Sequence, residues 1–413
     1  MPEANIAIVG GGLAGSLAAA MLGRAGISTI LFDLHQPYPP DFRCEKIDAE
    51  QRDLLAKTGL AGEILKSATP MREIWLARYG RVIERRPSVE AGLLYQDFVN
   101  AARAEIRGDT AFVRGRVSSL STGDDRQIVQ LSDGRSYSAR LAILATGLNN
   151  NVRQQLQIVR DERSRCHSIS VGFDIKPKDG GSFAFPALTY FGEHPASRVG
   201  YITLFPIGST MRANLFVYRE MDDPWLRTLR ESPRATLFAA MPRLRQFVGD
   251  FEITSGIEMR PVDLYVTRGH RQPGVALVGD AFGTSCPAAG TGITKILTDV
   301  ERLCNVYIPQ WLASDGMGIA KIDAYYDDRE KTACDARSAH QAYYMRSLAI
   351  DSGLPWRTRR LGWFALKVAG SSMRGLRDRF TRPAPHHGSP ERQHSPLVHT
   401  KAGTQGRRAE IKN

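Results

Sequence analysis

The sequence of 413 residues contains no continuous apolar run of about 18 residues, the length that a helix needs to span a bilayer. An apolar, strand-like segment already begins at residue 5, which leaves no room for a signal peptide. Hydrophobic residues make up 42% of the chain and charged residues 24%, as in ordinary globular proteins. We therefore expect a globular protein of the cytoplasm rather than an integral membrane protein.

Cysteine is also scarce. The five cysteines show none of the paired spacings of zinc sites, so no metal site is predicted. Their number and placement fit reduced thiols in a reducing compartment. A disulfide-stabilised secreted fold is therefore not expected, and the chain is long enough for two lobes that each bury a core.

The net charge of +12 is unevenly distributed along the chain. Residues 351–413 contain 13 Lys and Arg against 4 Asp and Glu, a net charge of +9, and the first 350 residues carry only +3. These 350 residues lack a basic stripe with interleaved aromatic residues. We therefore predict no nucleic-acid partner.

A dinucleotide-binding pattern lies at the start of the chain. Residues 5–9 are a short apolar strand, residues 10–15 read GGGLAG, and an alanine-rich helix follows. Residues 29–32 form a second strand that ends in Asp33. Glycines between strand and helix, with an acidic residue about 20 residues on, are the fingerprint of a dinucleotide site. The predicted contacts are Gly10, Gly12, Leu13, Ala14, Gly15 and Asp33.

A second glycine-rich segment lies near residue 280. An apolar strand over residues 275–278 leads to Gly279 and Asp280, and a glycine-rich loop over residues 287–292 opens a helix. Glycine lets the backbone approach a flat ring closely, and the helix N-terminus offers free N–H groups and partial positive charge. Asp280 can accept hydrogen bonds from a polyol. FAD is the predicted cofactor, with contacts from Gly279, Asp280, Pro287, Gly290, Thr291 and Gly292.

Three blocks of the chain resemble the class A FAD-dependent monooxygenases, the family of aromatic and ubiquinone-pathway hydroxylases that is related to geranylgeranyl reductases and flavin halogenases. They are GGGLAGS with Asp33, the segment from Leu141 to Arg153, and GDAFGTSCPAAGTGIT from Gly279. The resemblance implies an α/β fold: a Rossmann-like FAD-binding domain of the glutathione reductase type, an inserted and mostly antiparallel β-sheet substrate domain, and C-terminal helices. It also implies cofactor contacts from Arg43, Val117, Thr146 and Gly147.

The chain departs from the family pattern at several positions. Gly283 replaces the usual His, Thr294 replaces the Asn that closes the second glycine loop, and Thr146 replaces the Asp before Gly147. The last change leaves open how NAD(P)H docks. The W-x-W-x-I-P motif of halogenases is missing from the sequence. Residues 201–206, YITLFP, look like the Y-x-W-x-F-P of isoprenoid reductases, with Thr203 in place of the Trp.

The periodicity predicts how the chain is divided. Residues 1–164 and 266–348 are assigned to the FAD-binding domain, and residues 165–265 to a β-sheet roof over the flavin. Within these ranges we predict helices from Arg43 through Leu55, from Leu93 to Glu105 and from Pro233 to Phe247. A strand is predicted from Phe183 to Phe191.

The C-terminal residues differ in composition from the rest. Residues 349–381 are predicted to be a basic amphipathic helical extension, and residues 382–413 a disordered tail. On a helix, the apolar and basic side chains of residues 354–380 would lie on opposite faces, as in membrane-surface anchors. We predict either peripheral contact with the inner face of the membrane or packing on the FAD domain.

The predicted reaction follows from the resemblance. It implies an NAD(P)H-dependent FAD monooxygenase that hydroxylates an aromatic or prenylated ring through a flavin C4a-hydroperoxide, with NAD(P)H as transient reductant and O2 as co-substrate. An FAD-dependent reductase of isoprenoid C=C bonds is the alternative, and a non-catalytic flavin-binding module is a third hypothesis.

No catalytic residue is predicted. His167, Tyr190 and Tyr201 are candidates for handling a substrate proton, but each is more typical of the β-sheet core. Cys44 and Cys286 lie beside predicted flavin contacts. We interpret both cysteines as small buried fillers, with a redox or covalent-flavin role as the alternative.

Overall fold

A computed structural model of the chain describes residues 1–362 and Phe364. Most of the predicted amphipathic segment and the whole predicted tail therefore lie outside the described residues. The described residues form one compact unit. None of the helices in the described part of the chain has the length and apolar character needed to cross a membrane.

Strands and helices are mixed along the chain. The strands are β1 (Glu3–Val9), β2 (Thr29–Asp33), β3 (Cys44–Ile47), β4 (Thr69–Pro70), β5 (Glu73–Arg78), β6 (Arg81–Pro87), β7 (Ala91–Leu94), β8 (Thr110–Arg114), β9 (Val117–Ser121), β10 (Gln127–Leu131), β11 (Ser136–Leu144), β12 (Val159–Pro177), β13 (Leu188–Phe191), β14 (Val199–Ile207), β15 (Thr210–Val217), β16 (Phe251–Ile253), β17 (Glu258–Arg268) and β18 (Val275–Leu277).

The α-helices are α1 (Leu13–Arg24), α2 (Ala49–Lys57), α3 (Ala61–Lys66), α4 (Tyr95–Ala104), α5 (Asn151–Gln155), α6 (Pro224–Glu231), α7 (Pro233–Ala240), α8 (Arg245–Val248), α9 (Gly292–Glu301), α10 (Ile308–Leu312), α11 (Ile319–Tyr326) and α12 (Arg329–Ile350). Short 3-10 turns cover Pro195–Ser197, Pro242–Leu244, Gly279–Ala281 and Pro287–Ala289, and Arg302–Tyr307 is π-helical. Residues 354–362 are also helical.

The first sheet, which we call the Rossmann sheet, has seven strands in the order β8-β2-β1-β11-β10-β9, with β18 beside β11. The pairs β1–β2, β1–β11, β2–β8 and β11–β18 are parallel, and β10 is antiparallel to its two neighbours. Ile6 and Ile8 of β1 are fully buried, as expected for a strand covered on both faces. All residues of α1 from Leu13 to Gly23 are buried, because small side chains let this helix lie close to its neighbours.

The second sheet, which we call the roof sheet, has eight strands in the order β16-β12-β15-β14-β13-β5-β6, with β17 beside β12. All its pairs are antiparallel except β13–β5. Ile169, Val171 and Phe173 point into an apolar core on one face, as the alternation of the strand requires. Strands β5 and β6 come from residues 73–87, within the range assigned to the FAD-binding domain, and the domain limits stay a prediction.

The segment after Arg43 is a strand, so the prediction of a helix there is wrong. β3 pairs antiparallel with β7 in a small sheet of order β3-β7-β4, and Cys44 lies opposite Leu94. The helix begins only at Ala49, where Asp48 accepts a hydrogen bond from Gln51 N in a complete capping box. The long-range pairing with β7 is what overrides the local helical pattern.

Three other predicted elements have different limits. The helix predicted from Leu93 begins at Tyr95, because the two preceding residues belong to β7. The strand predicted from Phe183 begins at Leu188, after Pro186, which has no N–H to donate to a neighbouring strand. The helix predicted over Pro233–Phe247 stops at Ala240, and a 3-10 turn that starts with Pro242 separates it from α8.

Candidate functional site

The first glycine loop, residues 10–15, turns β1 into α1 in a space that only glycine fits. Gly10 has φ of +102°, and a Cβ there would lie 2.6 Å from Ala145 O. A Cβ on Gly15 would lie 1.9 Å from Gly10 O. The N-cap residue of α1, Gly12, has no side chain to cap the helix, and Leu13 N donates to Tyr95 OH at 3.4 Å. The N–H groups that follow Leu13 in the first turn are therefore available to an anion.

Asp33 lies beside this loop at the end of β2. Its carboxylate accepts hydrogen bonds from Gly11 N at 2.7 Å and from His35 N at 2.8 Å. The segment that leads to Val117 also reaches this point, since Gly115 N donates to Asp33 O at 3.0 Å. The structure thus brings the first glycine loop, Asp33 and the start of β9 together.

Arg103 supports the same corner and was missed by the sequence analysis. Its Nε donates to Gly11 O at 3.1 Å, and its guanidinium lies 3.5 Å from the Asp33 carboxylate. Burial lowers the pKa of Arg103, and the charge of Asp33 opposes that change. A single arginine on an amphipathic helix is typical of an exposed residue. The sequence therefore did not indicate that Arg103 contacts Gly11 and Asp33.

The GD turn, Gly279–Ala281, lies against the first turn of α1. A Cβ on Gly279 would lie 3.5 Å from the Cβ of Ala14, so the two segments are in contact. Gly279 N donates to Asp299 Oδ2 of α9 at 2.8 Å. Burial raises the pKa of Asp280, whereas the positive charges of Lys295, Arg43 and Arg153 act to lower it.

The second glycine loop, residues 287–292, is held by α2. Gly290 has φ of +69°, and no atom lies within 4 Å of where its Cβ would be. Gln51 Nε2 donates to Gly290 O at 3.1 Å and to Thr294 Oγ1 at 3.3 Å. Thr291 Oγ1 lies 2.7 Å from Ser338 Oγ. Thr294, which replaces the family's Asn, therefore helps to fix the loop through Gln51.

Arg43 is held beside the first glycine loop by aromatic and acidic neighbours. Its Nε donates to Asp41 Oδ2 at 2.9 Å, and its guanidinium lies 3.7 Å from the ring centroid of Tyr95. Tyr95 OH accepts a hydrogen bond from Leu13 N at 3.4 Å. Burial disfavours the charge on Arg43, but hydrogen bonding to Asp41 outweighs this effect and raises the arginine's pKa.

Thr146 and Gly147 lie at the end of β11, next to Gly10. Gly147 has φ of +55°, and Thr146 Oγ1 donates to Asn149 O at 3.2 Å. The fully buried Arg153 donates to Asn149 O at 3.0 Å and to Ala281 O at 2.6 Å. Arg153 therefore ties this loop to the GD turn.

A buried group of four charges lies behind the GD turn. Lys331 Nζ lies 2.7 Å from Asp299 Oδ1, and Lys295 Nζ lies 3.4 Å from Asp299 Oδ2. Asp335 of α12 joins both lysines, at 3.2 Å from Lys295 and 3.1 Å from Lys331. The i, i+4 spacing of Lys295 and Asp299 on one helix can be recognised in the sequence. Their partners on α12, Lys331 and Asp335, are close to them only in the folded structure.

The roof sheet touches the site at three points. Tyr201 OH donates to Ala288 O at 2.7 Å, and Cys44 Sγ donates to Asn214 Oδ1 at 3.3 Å. Ser168 Oγ lies 3.4 Å from Cys286 Sγ. Because these contacts reach both the second glycine loop and β3, the sheet covers the space between them.

His167 and Tyr190, two candidates for handling a substrate proton, already have hydrogen-bond partners within the protein. His167 is buried, with Nδ1 3.0 Å from Ser164 Oγ and Nε2 3.1 Å from Ala342 O, and burial lowers its pKa. Tyr190 packs in the core on the far face of the roof sheet and donates to Glu193 at 2.6 Å.

The two cysteines beside the site are buried free thiols. Burial raises the pKa of Cys44 to about 12 and also raises that of Cys286. Because the thiolate is the reactive form, both are poor nucleophiles at neutral pH.

The N-termini of α1 and α9, whose N-cap residues make no side-chain cap, thus flank an acidic turn beneath a covering sheet. Around Gly12 there is open space, since Tyr95 OH, at 3.9 Å, is the one atom within 4 Å of where its Cβ would be. These residues fit FAD, with its anionic pyrophosphate, its polyol and its flat ring. The fold and the site together define an FAD-binding flavoprotein.

Sequence comparison places the chain in a family. The FAD binding domain family matches residues 3–333, and the chain belongs to that family. The chain is 29% identical over 330 residues to 3-demethoxyubiquinol 3-hydroxylase of Escherichia coli (strain K12), which covers 74% of this chain and 79% of that protein.

Solved structures share the fold. The p-nitrophenol 4-monooxygenase of Pseudomonas putida superposes with a TM-score of 0.70 and 18% identity, covering 92% of this chain and 97% of that one. Aklavinone-11 hydroxylase, in complex with FAD and aklavinone, gives 0.66 and 20% identity, covering 85% and 70%. The predicted family, α/β fold class, FAD cofactor and FAD-dependent monooxygenase class are confirmed.

Proposed function

We propose that this protein is an NAD(P)H-dependent FAD monooxygenase that hydroxylates an aromatic or prenylated ring. One observation carries the proposal: the two glycine loops and the GD turn lie side by side under the roof sheet. NAD(P)H would act as the transient reductant and O2 as the co-substrate. FAD, when bound, supplies the electron transfer and the activation of oxygen, and the protein supplies binding, orientation and exclusion of water.

The first glycine loop would hold the pyrophosphate of FAD. The N-terminus of α1 offers N–H groups and partial positive charge, and Arg43 adds a full charge nearby. Asp33, fixed by Gly11 N and Arg103, would accept hydrogen bonds from the adenosine ribose. Asp280 would accept them from the ribityl chain.

The second glycine loop would hold the flavin ring. Gly290 and Gly292 leave space for a flat group, and the positive end of α9 points to the same region. A positive dipole end favours negative charge on the reduced ring. Gln51 keeps this loop in place through Gly290 O and Thr294.

The roof sheet would bind the substrate. Phe216, Tyr218, Cys286 and Ala288 form a buried apolar cluster, against which Tyr201 packs. Apolar surroundings of this kind beside the second glycine loop would suit a small hydrophobic or aromatic substrate and would exclude water. The names of the similar proteins, which refer to demethoxyubiquinol, p-nitrophenol and aklavinone, also favour a ring substrate.

The test begins with the purified, FAD-loaded protein without oxygen. NADH or NADPH is added with each member of a panel of phenols and quinone precursors, and flavin reduction is followed by absorbance. Labelled dioxygen is then admitted, and a hydroxylase must place the label in the product. Reduction of a C=C bond without oxygen consumption would instead show the isoprenoid-type reductase. No substrate-stimulated reduction with any compound would support a non-catalytic module.

A further inference from the structure

Glu45 lies on the face of β3 that turns toward the predicted flavin site. Alternate residues of a strand point to opposite faces. Cys44 and its cross-strand partner Leu94 pack in a cluster with residues of the roof sheet. Ile47 and Leu93 pack in the core of the Rossmann sheet. Because Glu45 is paired with Leu93, it shares their face.

The position of β3 along the chain places Glu45 in the part of the cofactor site that is predicted to hold the flavin ring. Arg43 lies two residues before it, and β3 leads through Asp48 into α2. On α2, Gln51 holds Gly290 O of the second glycine loop. Asp33, at the adenosine end, lies in a different part of the site.

Glu45 has no partner of its own among the described residues. Its carboxyl group takes part in no hydrogen bond or ion pair with them, whereas the neighbouring Lys46 lies 2.8 Å from Glu90. The charged groups that face it are Arg43 and Asp41, before β3, and Asp280 of the GD turn. Glu45 is half-buried, and its carboxyl oxygens are not among the fully buried unpartnered atoms, so they face open space in which a bound molecule can supply a partner.

The ionisation of Glu45 falls in the physiological range. Burial raises its pKa to about 7, with Arg43 opposing the rise and with Asp280 and Asp41 adding to it. Below that pH the group is a neutral acid and can donate a hydrogen bond. Above it, the group is an anion that can only accept.

We propose that Glu45 contacts the bound flavin ring and donates a hydrogen bond to it from the neutral carboxyl group. This inference rests on the position of the FAD site and is independent of the proposed hydroxylation. FAD then binds more tightly at pH 6 than at pH 8, and the visible absorption of the bound flavin changes between these values. One hydrogen bond predicts a difference in Kd of about 5- to 10-fold.

The experiment titrates FAD-loaded protein from pH 5 to 9 and measures the absorption spectrum and the Kd for FAD. Glu45→Gln keeps a neutral donor of the same size. Because FAD favours the neutral form in this proposal, the spectrum of the loaded wild type should titrate with one midpoint about 0.7 to 1 unit above the pKa of Glu45 in the free protein. Glu45→Gln should keep the low-pH spectrum and affinity throughout. Glu63→Gln is the matched control, because Glu63 is an exposed glutamate paired with Lys66, and it should titrate as the wild type does.

Two results would overturn the proposal: a wild type whose spectrum and Kd do not change over this range, or a Glu45→Gln variant that titrates unchanged. A second measurement needs no variant. In protein labelled with carbon-13 glutamate, the infrared difference between oxidised and reduced flavin should contain a shifted carboxylic-acid band at pH 6, and its absence would also reject the contact. Neither readout depends on turnover, so a protein without hydroxylase activity still tests Glu45.

Discussion

At the scale of single residues, the site depends on backbone positions more than on side-chain chemistry. Gly10 and Gly15 are required because neighbouring carbonyl oxygens occupy the space where a Cβ would be. Gly290 differs, since its positive φ is combined with open space around it. The first glycine loop is therefore constrained by packing, and the second by conformation together with the need to admit a ligand.

Replacing Gly10 by alanine should reduce both stability and FAD retention. The new Cβ would lie 2.6 Å from Ala145 O at a φ of +102°. Gly26→Ala is the control, since Gly26 has φ of +69° with no atom within 4 Å of the Cβ position. The control should cost about 1 to 2 kcal/mol from backbone strain alone. Thermal unfolding and FAD content after purification measure both effects, and equal losses in the two variants would contradict this account.

At the scale of elements, the sequence correctly predicted the turns that follow the apolar strands, but it did not predict strand β3. The first glycine loop follows β1 and the GD turn follows β18, and both strands are apolar, so local pattern and fold agree there. Residues 43–47 have a helical pattern, but the pairing of Cys44 with Leu94, 50 residues away, makes a strand. Arg103 and Gln51 were missed for the same reason, since their partners lie far along the chain.

The helix α9 is joined to α12 by the buried charge group of Lys295, Asp299, Lys331 and Asp335. Lys331→Met should be strongly destabilising, because it leaves Asp299 with one fewer positive neighbour in a buried site. Breaking such a buried pair costs about 3 to 5 kcal/mol. Arg271→Met, which removes exposed pairs with Asp323 and Asp327, should cost no more than about 2 kcal/mol. Urea unfolding of both variants measures the difference, and similar values would argue against a role for burial.

The ion pair between Asp299 and Lys331 also predicts that the stability of the protein depends on pH. Burial works against the charge on Asp299, but Lys295 and Lys331 lower its pKa below the usual range. A lowered pKa in the folded state stabilises the protein above the ordinary Asp pKa of about 4, and this contribution is lost as the pH falls further. The stability difference between wild type and Lys331→Met should therefore shrink in acid.

At the scale of the whole molecule, two sheets enclose the site. The antiparallel character of the roof sheet follows from the β-rich composition of residues 165–265. The membership of β5 and β6 in the roof sheet could not be predicted, because residues 73–87 give no local sign that β5 pairs with β13, 113 residues later. The covered space between the Rossmann sheet and the roof sheet is what an enzyme that must exclude water requires.

The basic C-terminal segment adds a property that the enzyme body lacks. Residues 354–362 are helical, and Arg360 is buried and donates to Leu348 O at 3.0 Å, so this arginine contributes to packing rather than to a free basic face. The remaining predicted basic residues lie outside the described part of the chain. Because the first 350 residues are nearly neutral, any electrostatic attraction to a membrane must come from the C-terminal residues.

Full-length protein should therefore sediment with vesicles that contain anionic lipid at low salt, and salt should release it, because screening shortens the range of attraction to about 3 Å at 1 M. Vesicles of neutral lipid are the first control. A variant with Lys367→Gln, Arg374→Gln and Arg377→Gln keeps the apolar residues and removes three charges, so its binding should weaken while flavin content stays constant. Protein that remains in the supernatant with anionic vesicles at low salt would show that residues 354–380 do not bind membranes, and packing on the FAD domain would then be the better interpretation.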